Sequence, residues 1–452
     1  MTDQLTTPTP APESPQPPAV RRLPRALTPF RHVGYRRLGT ALVISTFASG
    51  VWVVALVWEV IRIGGGPGQL SLVSTAGAVG VLLPALLGGV VADRVPQKLI
   101  LVAVATIELA GIATVAALSW ADLTQVWHLA VVSFCTGVGM AFYYPAYSAW
   151  LPALVPKEDL MAVNGFEGMV RPTVGQAIGP GVAGAVVGAA SSSAALTVAA
   201  LAALLGLFAL TTVPLTAVRR EPATDAEAGG EAGDQVGGAA HAVATAIEDI
   251  REGFVYMVRT PWLLATLLFA SIMILAMMGP FEVLIPFLIK DKLGGGPADH
   301  ALVMACFGIG GAVGSLAMAS IRMPRRYLTW MNLMWGVGCL PFLVMGYADA
   351  VWVVAVAAFL LGALFSAPMV IWGTLLQRRV PAHLLGRVAS LDFFVSVSLM
   401  PVSMALAGPV SEWIGLRTTF TIAAIVPGVA AVLAVWLAKL PADELAHPLR
   451  DE

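Results

Sequence analysis

Charge is what this chain has least of. Only 12% of its 452 residues are Asp, Glu, Lys or Arg, about half the roughly 25% of an average soluble domain. Hydrophobic residues make up 58% and the mean hydropathy is +0.82, which excludes a soluble globule. Cysteine occurs three times, at Cys135, Cys306 and Cys339, each inside an apolar run, so no disulfide framework is available and all three are expected to be packing residues. His128 and His383 have no Cys or His partner at ligand spacing, which leaves no metal site. No Gly-x4-Gly-Lys-Ser/Thr motif is present to cradle nucleotide phosphates, so any energy source is expected to be an ion gradient. No cofactor is called for. The alternating polarity of barrel strands is missing as well, and a net charge of −1 gives no ground for a nucleic-acid partner.

What is present is a series of apolar runs bounded by charge, Gly or Pro. They fall at about 38–61, 70–92, 98–120, 125–150, 160–189, 194–215, 262–289, 299–321, 327–347, 351–376, 386–412 and 417–438. Each has at least the roughly 20 residues that a transmembrane helix needs, and helices satisfy every backbone amide in lipid. The expected fold is an all-α membrane protein of twelve transmembrane helices. Residues 1–35 are Pro-rich and are expected to be a disordered tail with no separate signal peptide. Residues 36–216 form a first six-helix half and 261–439 a second, with 217–260 as linker and 440–452 as a second tail. Within the linker, Glu221 to Ala240 is rich in Gly, Ala and acid. Beyond it, Val243, Ile247, Ile250, Phe254 and Met257 recur at steps of three and four, as on an amphipathic helix at the membrane surface.

Of 26 Lys and Arg residues, only Arg62, Lys290, Lys292 and Arg417 fall on predicted outer loops. The excess on the other side puts both termini in the cytoplasm. The halves also echo each other. Gly64-Gly65-Gly66-Pro67 matches Gly294-Gly295-Gly296-Pro297, and Gly80 with the Arg94 loop matches Gly308 with the Arg322 loop. Gly137 and Pro156 match Gly362 and Pro381. Internal duplication around a central crevice is the pattern of secondary transporters.

Nearly the whole chain, tails and linker excepted, resembles the major facilitator superfamily. The signature loop after the second helix of that family is met by Gly89, Asp93, Arg94 and Lys98, with Pro96 replacing its second Gly and Gln97 one of its bases. In the second half Ile321 stands opposite Asp93, so the copy keeps the basic end and loses the acid. Pro145-Ala146, Leu151-Pro152-Ala153-Leu154-Val155-Pro156, Arg251-Glu252-Gly253-Phe254 and Gly386-Arg387-Val388 are similar to the branch containing enterobactin exporters and macrolide efflux proteins. Gly175, Gly179, Pro180 and Gly184 resemble the antiporter motif of proton-driven drug exporters, while Ser133 stands near the place where many of them carry an arginine in the fourth helix. The resemblance implies that the Asp93 loop latches the second helix to the eleventh, near Gly386 and Arg387, and that the first, fourth, seventh and tenth helices line the cavity.

Ionisable groups in lipid cost about 2.5–3.5 kcal/mol each on insertion scales, so each is a functional candidate. Glu282, Asp392, Glu167, Arg171 and Glu108 are the candidates for proton coupling, with Glu282 first. Glu167 and Arg171, four apart, are placed to pair. Asp392, at the position equivalent to Glu167, has Ser396 where Arg171 would stand and so lacks a local partner. Glu59 is expected near the outer interface, solvated. Trp52, Tyr143, Tyr144, Tyr147, Phe281, Phe365 and Trp372 are candidate cavity aromatics, suited to apolar drug-sized ligands.

These readings converge on a proton-coupled exporter of small amphipathic molecules, a drug, antibiotic or siderophore, working by alternating access in the bacterial inner membrane. A nutrient symporter and a lipid translocator are the alternatives. No nucleophile, base and orienting acid fall together on neighbouring helices, so an enzyme is not expected. The expected partners are a small-molecule substrate, protons or another cation, and the lipid bilayer; the chain is expected to act as a monomer.

Overall fold

The computed structural model describes residues 29–85, 91, 95–156, 159–215, 251–321 and 323–449. Gly89, Asp93 and Arg94 of the signature loop lie outside the described residues, as do the stretch 221–240 and the start of the amphipathic segment. The first set of helices is α1 (Val33–Arg62), α2 (Pro67–Leu82), α3 (Gln97–Trp120), α4 (Val126–Leu154), α5 and α6 (Ser192–Thr211). Helix α5 is composite: α-helical over Leu160–Val170, π-helical over Arg171–Ile178 and α-helical again over Gly179–Ala189. The second set begins with α7, α-helical over Pro261–Gly279, with π-helical turns at Pro280–Leu284 and Leu288–Lys292. Helix α8 (Pro297–Ser320) follows, then α9 (Tyr327–Val337 and Pro341–Tyr347), α10 (Val351–Arg379), α11 (Ala382–Ser398 and Met400–Ile414) and α12 (Leu416–Leu437). Ten helices among the described residues are long and apolar enough to cross a membrane. Trp413, Trp436, Leu316 and Phe208 are exposed on their outer faces, as lipid contact requires.

Proline explains where several helices start or bend. Pro67, Pro261 and Pro297 open helices at positions whose N–H would be unbonded anyway. Pro172, Pro280 and Pro286 sit at or beside the π turns, where a missing N–H shifts the ladder. The turns before α2 and α8 are built alike. Gly64 and Gly294 have φ of +82° and +65°, and the N–H of Gly66 and of Gly296 donates to Gln69 Oε1 (2.9 Å) and Asp299 Oδ2 (2.8 Å). The end of the molecule carrying these turns is called the glycine-turn end below.

Within the first set α1 packs on α5 and α6, and α4 on α2 and α3; within the second, α8 packs on α10, and α12 on α7 and α9. Two of these contacts, α2 on α4 and α8 on α10, are backbone to backbone in the same way. A Cβ on Gly137 would lie 2.1 Å from Gly77 O, and one on Gly80 2.3 Å from Phe134 O. In the second set a Cβ on Gly362 would lie 2.1 Å from Phe307 O, and one on Gly310 2.0 Å from Phe359 O. The structural counterpart of Gly80 is therefore Gly310, a correction of the Gly308 match, because the contact selects the glycine and the loop does not. In that register Met323 stands opposite Asp93, and the second set still has no acid there.

Two further expectations are corrected. Glu59 is fully buried, not solvated. Arg62, one turn on, folds back over it with contacts of 2.8 and 2.9 Å and reaches on to Asp122 at 2.7 Å, while Ser192 donates to Glu59 at 2.7 Å. Nor is the segment after Ala438 only a tail. Lys439 turns through the left-handed region (φ 49°) and α13 (Leu440–Ala446) doubles back against α9. Glu444, 1% exposed, accepts from Leu328 N (2.9 Å), Thr329 N (3.1 Å) and Thr329 Oγ1 (2.8 Å), so its carboxylate caps the start of α9.

Candidate functional site: a crevice between the two helix sets

The two sets meet at the glycine-turn end. Helix α8 packs along Arg171–Ala189 of α5, so closely that a Cβ on Gly184 would lie 2.5 Å from Ala301 Cβ. Helix α2 packs on the Met400–Ile414 part of α11, where Gly408 N donates to Ser71 Oγ (2.8 Å) and Gly68 N to Glu412 Oε1 (3.3 Å). On the far side of its π segment, Leu160–Val170 of α5 packs within its own set, against Phe30, Tyr35 and Tyr147. Among the described residues, the close contacts between the two sets lie toward the glycine-turn end.

The motif glycines supply this geometry. Gly175 and Gly179 face α1: a Cβ on Gly50 would lie 2.5 Å from Gly175 O, and one on Gly179 2.9 Å from Gly50 Cα. Pro180 lies against Gly50 as well, and Gly184 faces α8. Helix α5 is thus clamped to α1 on one face and closes the crevice with the next.

On the first-set wall, Tyr143 stacks on Tyr147 (5.6 Å, 14°), and Glu167 lies against Tyr147. Tyr35 Oη, Tyr147 Oη and Glu167 Oε1 are buried with no hydrogen-bond partner. Arg171 approaches Glu167 at only 3.8 Å; its nearer partner is Tyr144, whose hydroxyl accepts from it at 2.6 Å and whose ring lies 4.5 Å beneath it. The backbone between them is an ordinary α turn, with Arg171 N–H bonded to Glu167 O, so only the side chains turn apart. Glu108 accepts from Ser49 Oγ of α1 at 3.1 Å.

On the second-set wall Asp392, expected to lack a local partner, accepts from Trp372 Nε1 at 2.9 Å across helices. The partner comes from α10 and carries no charge, so a search for neighbouring bases along α11 misses it. Trp372 is also in edge contact with Trp262 and Trp335, and Trp335 Nε1 donates to Phe365 O (2.9 Å). Glu282 stands in the π turn Pro280–Leu284, which touches both α2 and α11, and no described polar group bonds or pairs with it. Phe281 beside it packs on Phe307 (4.5 Å). A carboxylate at such a place, with neither counter-ion nor donor, is suited to gain and lose a proton.

The remaining candidates sit elsewhere. Trp52 is buried among apolar side chains of the core. Lys98 Nζ donates to Thr211 O (2.8 Å) and Val213 O (2.5 Å), and Arg37 to Thr212 O (2.5 Å); both cations hold the C-terminus of α6 rather than α11. Arg387, next to Gly386 on α11, pairs with Glu252, which precedes α7. Residues Arg251–Arg259 are helical, with Met257 buried as expected and Phe254 exposed. Sequence reasoning missed Tyr35, His300 and Asn332. A polar side chain inside an apolar run was the signal for the last two, 3% and 0% exposed, whose His300 Nδ1 and Asn332 Oδ1 lack partners; Tyr35 precedes the first run and gave none.

The matches to known proteins fit this geometry. A model of the transmembrane secretion effector family (MFS_3) matches residues 25–449. The chain belongs to that family of major facilitator transporters. It is 24% identical over 409 residues to the multidrug efflux pump Tap of Mycolicibacterium fortuitum, covering 88% of this chain and 94% of that one. Macrolide efflux protein A of Streptococcus pyogenes is 23% identical over 364 residues, covering 78% and 84%. Among solved structures, a POT family transporter in complex with a thioalcohol-conjugated peptide superposes with a TM-score of 0.64 at 15% identity, over 90% of this chain and 96% of that one. The chain is accordingly a transporter and not an enzyme.

Proposed function

We propose that this transporter is a proton-coupled exporter of small amphipathic molecules, of the drug, antibiotic or siderophore kind. The observation that carries the coupling is the pair of carboxylates on π-helical breaks: Glu167 one turn before Arg171–Ile178, and Glu282 inside Pro280–Leu284. Export is supported by the names of the relatives, a multidrug efflux pump and a macrolide efflux protein. In this reading twelve spans form two duplicated halves. The spans added to the ten are α2 and the composite α5, whose π segment interrupts it. Both termini are cytoplasmic, in the inner membrane of a bacterium, since Arg36, Arg37, Lys98, Arg325, Arg326, Arg378 and Arg379 gather at the end opposite the glycine turns. The structure then represents the state open to the cytoplasm, and the protein works as a monomer.

The cycle follows from the two walls. An amphipathic substrate enters from the cytoplasm or inner leaflet and lies between the Tyr143–Tyr147 stack and the Trp262–Trp372–Trp335 group. Parting of α5 from α8 and α2 from α11 opens the glycine-turn end, exposes Glu282 to outside protons and releases the substrate. Return is made with the proton bound. Everted vesicles carrying the protein should accumulate a macrolide or siderophore probe when acidified inside. Accumulation unaffected by a protonophore would remove the proton, and the absence of accumulation for every probe in a broad panel would remove export.

A further inference from the structure

The two contacts that join the helix sets differ in kind. Between α5 and α8 the sets meet by close packing, Gly184 against Ala301 and Gly308 against Gln176. Between α2 and α11 polar groups bond across the gap, and they do so in both directions. Ser71 of α2 accepts from the backbone N–H of Gly408 at 2.8 Å, and Glu412 of α11 accepts from the backbone N–H of Gly68 at 3.3 Å. Residues 68 and 71 thus meet 412 and 408, so the two antiparallel helices share two successive rungs. The Ser71 rung is buried: Ser71 is 2% exposed, and a Cβ on Gly408 would lie 2.6 Å from Pro67 O. The Glu412 rung is exposed and sets a carboxylate on the first turn of a 16-residue helix, where unpaired N–H groups and the dipole favour negative charge.

We infer that Ser71 and Glu412 are gating residues, a reciprocal ladder that holds the glycine-turn end shut and breaks when that end opens. The inference rests on the reading of this end as the outer gate of an alternating-access cycle, and adds the groups that set the balance between its two states. Each rung runs from one set to the other, so it exists only while the sets touch. A hydrogen bond within one set survives the rocking of the halves and gives no such bias. Without the Ser71 hydroxyl, the Gly408 N–H would stay buried against α2 with that acceptor gone, and parting of the helices would wet it. Ser71 therefore carries the larger share.

A bond of matched chemistry inside the second set supplies the control, since Gly279 N donates to Ser403 Oγ at 2.8 Å between α7 and α11. Electron–electron distances are measured between spin labels at positions 188 and 296, on the α5–α8 side, in a background lacking Cys135, Cys306 and Cys339. A Cβ on either labelled glycine meets open space. Ser71→Ala/Glu412→Ala is expected to raise the ratio of parted to closed molecules at least about threefold, the scale of one interhelical hydrogen bond in a membrane. Ser71→Ala alone should give most of that rise, and carries the test if the double variant does not fold. Ser403→Ala should lower the thermal midpoint and leave the ratio at that of the parent. A distribution identical to the parent's in the Ser71 variants, or an equal rise from Ser403→Ala, would overturn the inference. The labels report separation whichever way cargo moves and whatever ion drives it, so this outcome stands apart from any failure of the efflux assay.

Discussion

At the scale of the residue, burial and partnership separate the acids that hold the fold from those free to titrate. Glu59 has Arg62 and Ser192 around it with no exposed surface, so removing its carboxylate strips the Ser192 hydroxyl of its acceptor and leaves the part-exposed Arg62 guanidinium with Asp122 alone. Glu59→Ala should cost about 1–3 kcal/mol and lower the thermal midpoint of the purified protein, whereas Asp122→Ala, 81% exposed at the same arginine, should cost less than about 1 kcal/mol. Glu282 should behave in the opposite way. With no polar partner to lose, Glu282→Gln is expected to insert and fold normally, and to abolish the response of efflux to an imposed pH gradient in vesicles. A normal response from that variant would move the coupling role to Glu167 or Asp392. The difference between Glu59 and Glu282 could not be read from composition. Both are single acids in apolar runs, and only the third dimension brings Ser192 to one of them and no described polar group to the other.

At the scale of the element, most of what mattered was legible. The ends of the apolar runs were set by Pro, Gly and charge, and α1, α3, α8, α10 and α12 follow them within a few residues. What stayed hidden were the π turns in α5 and α7, because the hydrophobic pattern of a membrane helix is apolar on nearly every face and carries little periodicity to betray a shift of register. The helix-packing glycines were visible as letters but not as contacts. Gly310 outranks Gly308 only because Phe359 O lies where its Cβ would be. Gly137→Ala should therefore be disruptive, since its methyl would meet the Gly77 carbonyl at 2.1 Å. Overpacking of this kind costs about 1–3 kcal/mol, and a fall in folded yield measured by size-exclusion fluorescence would show it. Gly188→Ala, with open space around its Cβ, should leave the yield unchanged.

At the scale of the whole molecule, the closed end is the part that a single side chain can pry open. Gly184 meets Ala301 and the Pro297 carbonyl at 2.5 and 2.7 Å from where a Cβ would sit. Gly184→Leu cannot occupy the closed arrangement, and should shift the population toward separation of α5 from α8. Electron–electron distance measurements with spin labels at positions 66 and 412, in a background lacking Cys135, Cys306 and Cys339, should show the distribution lengthen. An unchanged distribution would mean that α5 and α8 can slide without parting. The docking of α13 acts on a different scale of time, that of inheritance. A stop codon after Lys439 would spare all ten candidate spans, yet it would strip the Glu444 carboxylate from the start of α9 and leave Arg379 without Asp443. Such an allele, innocuous by any count of membrane segments, should score as a null in a drug-susceptibility screen.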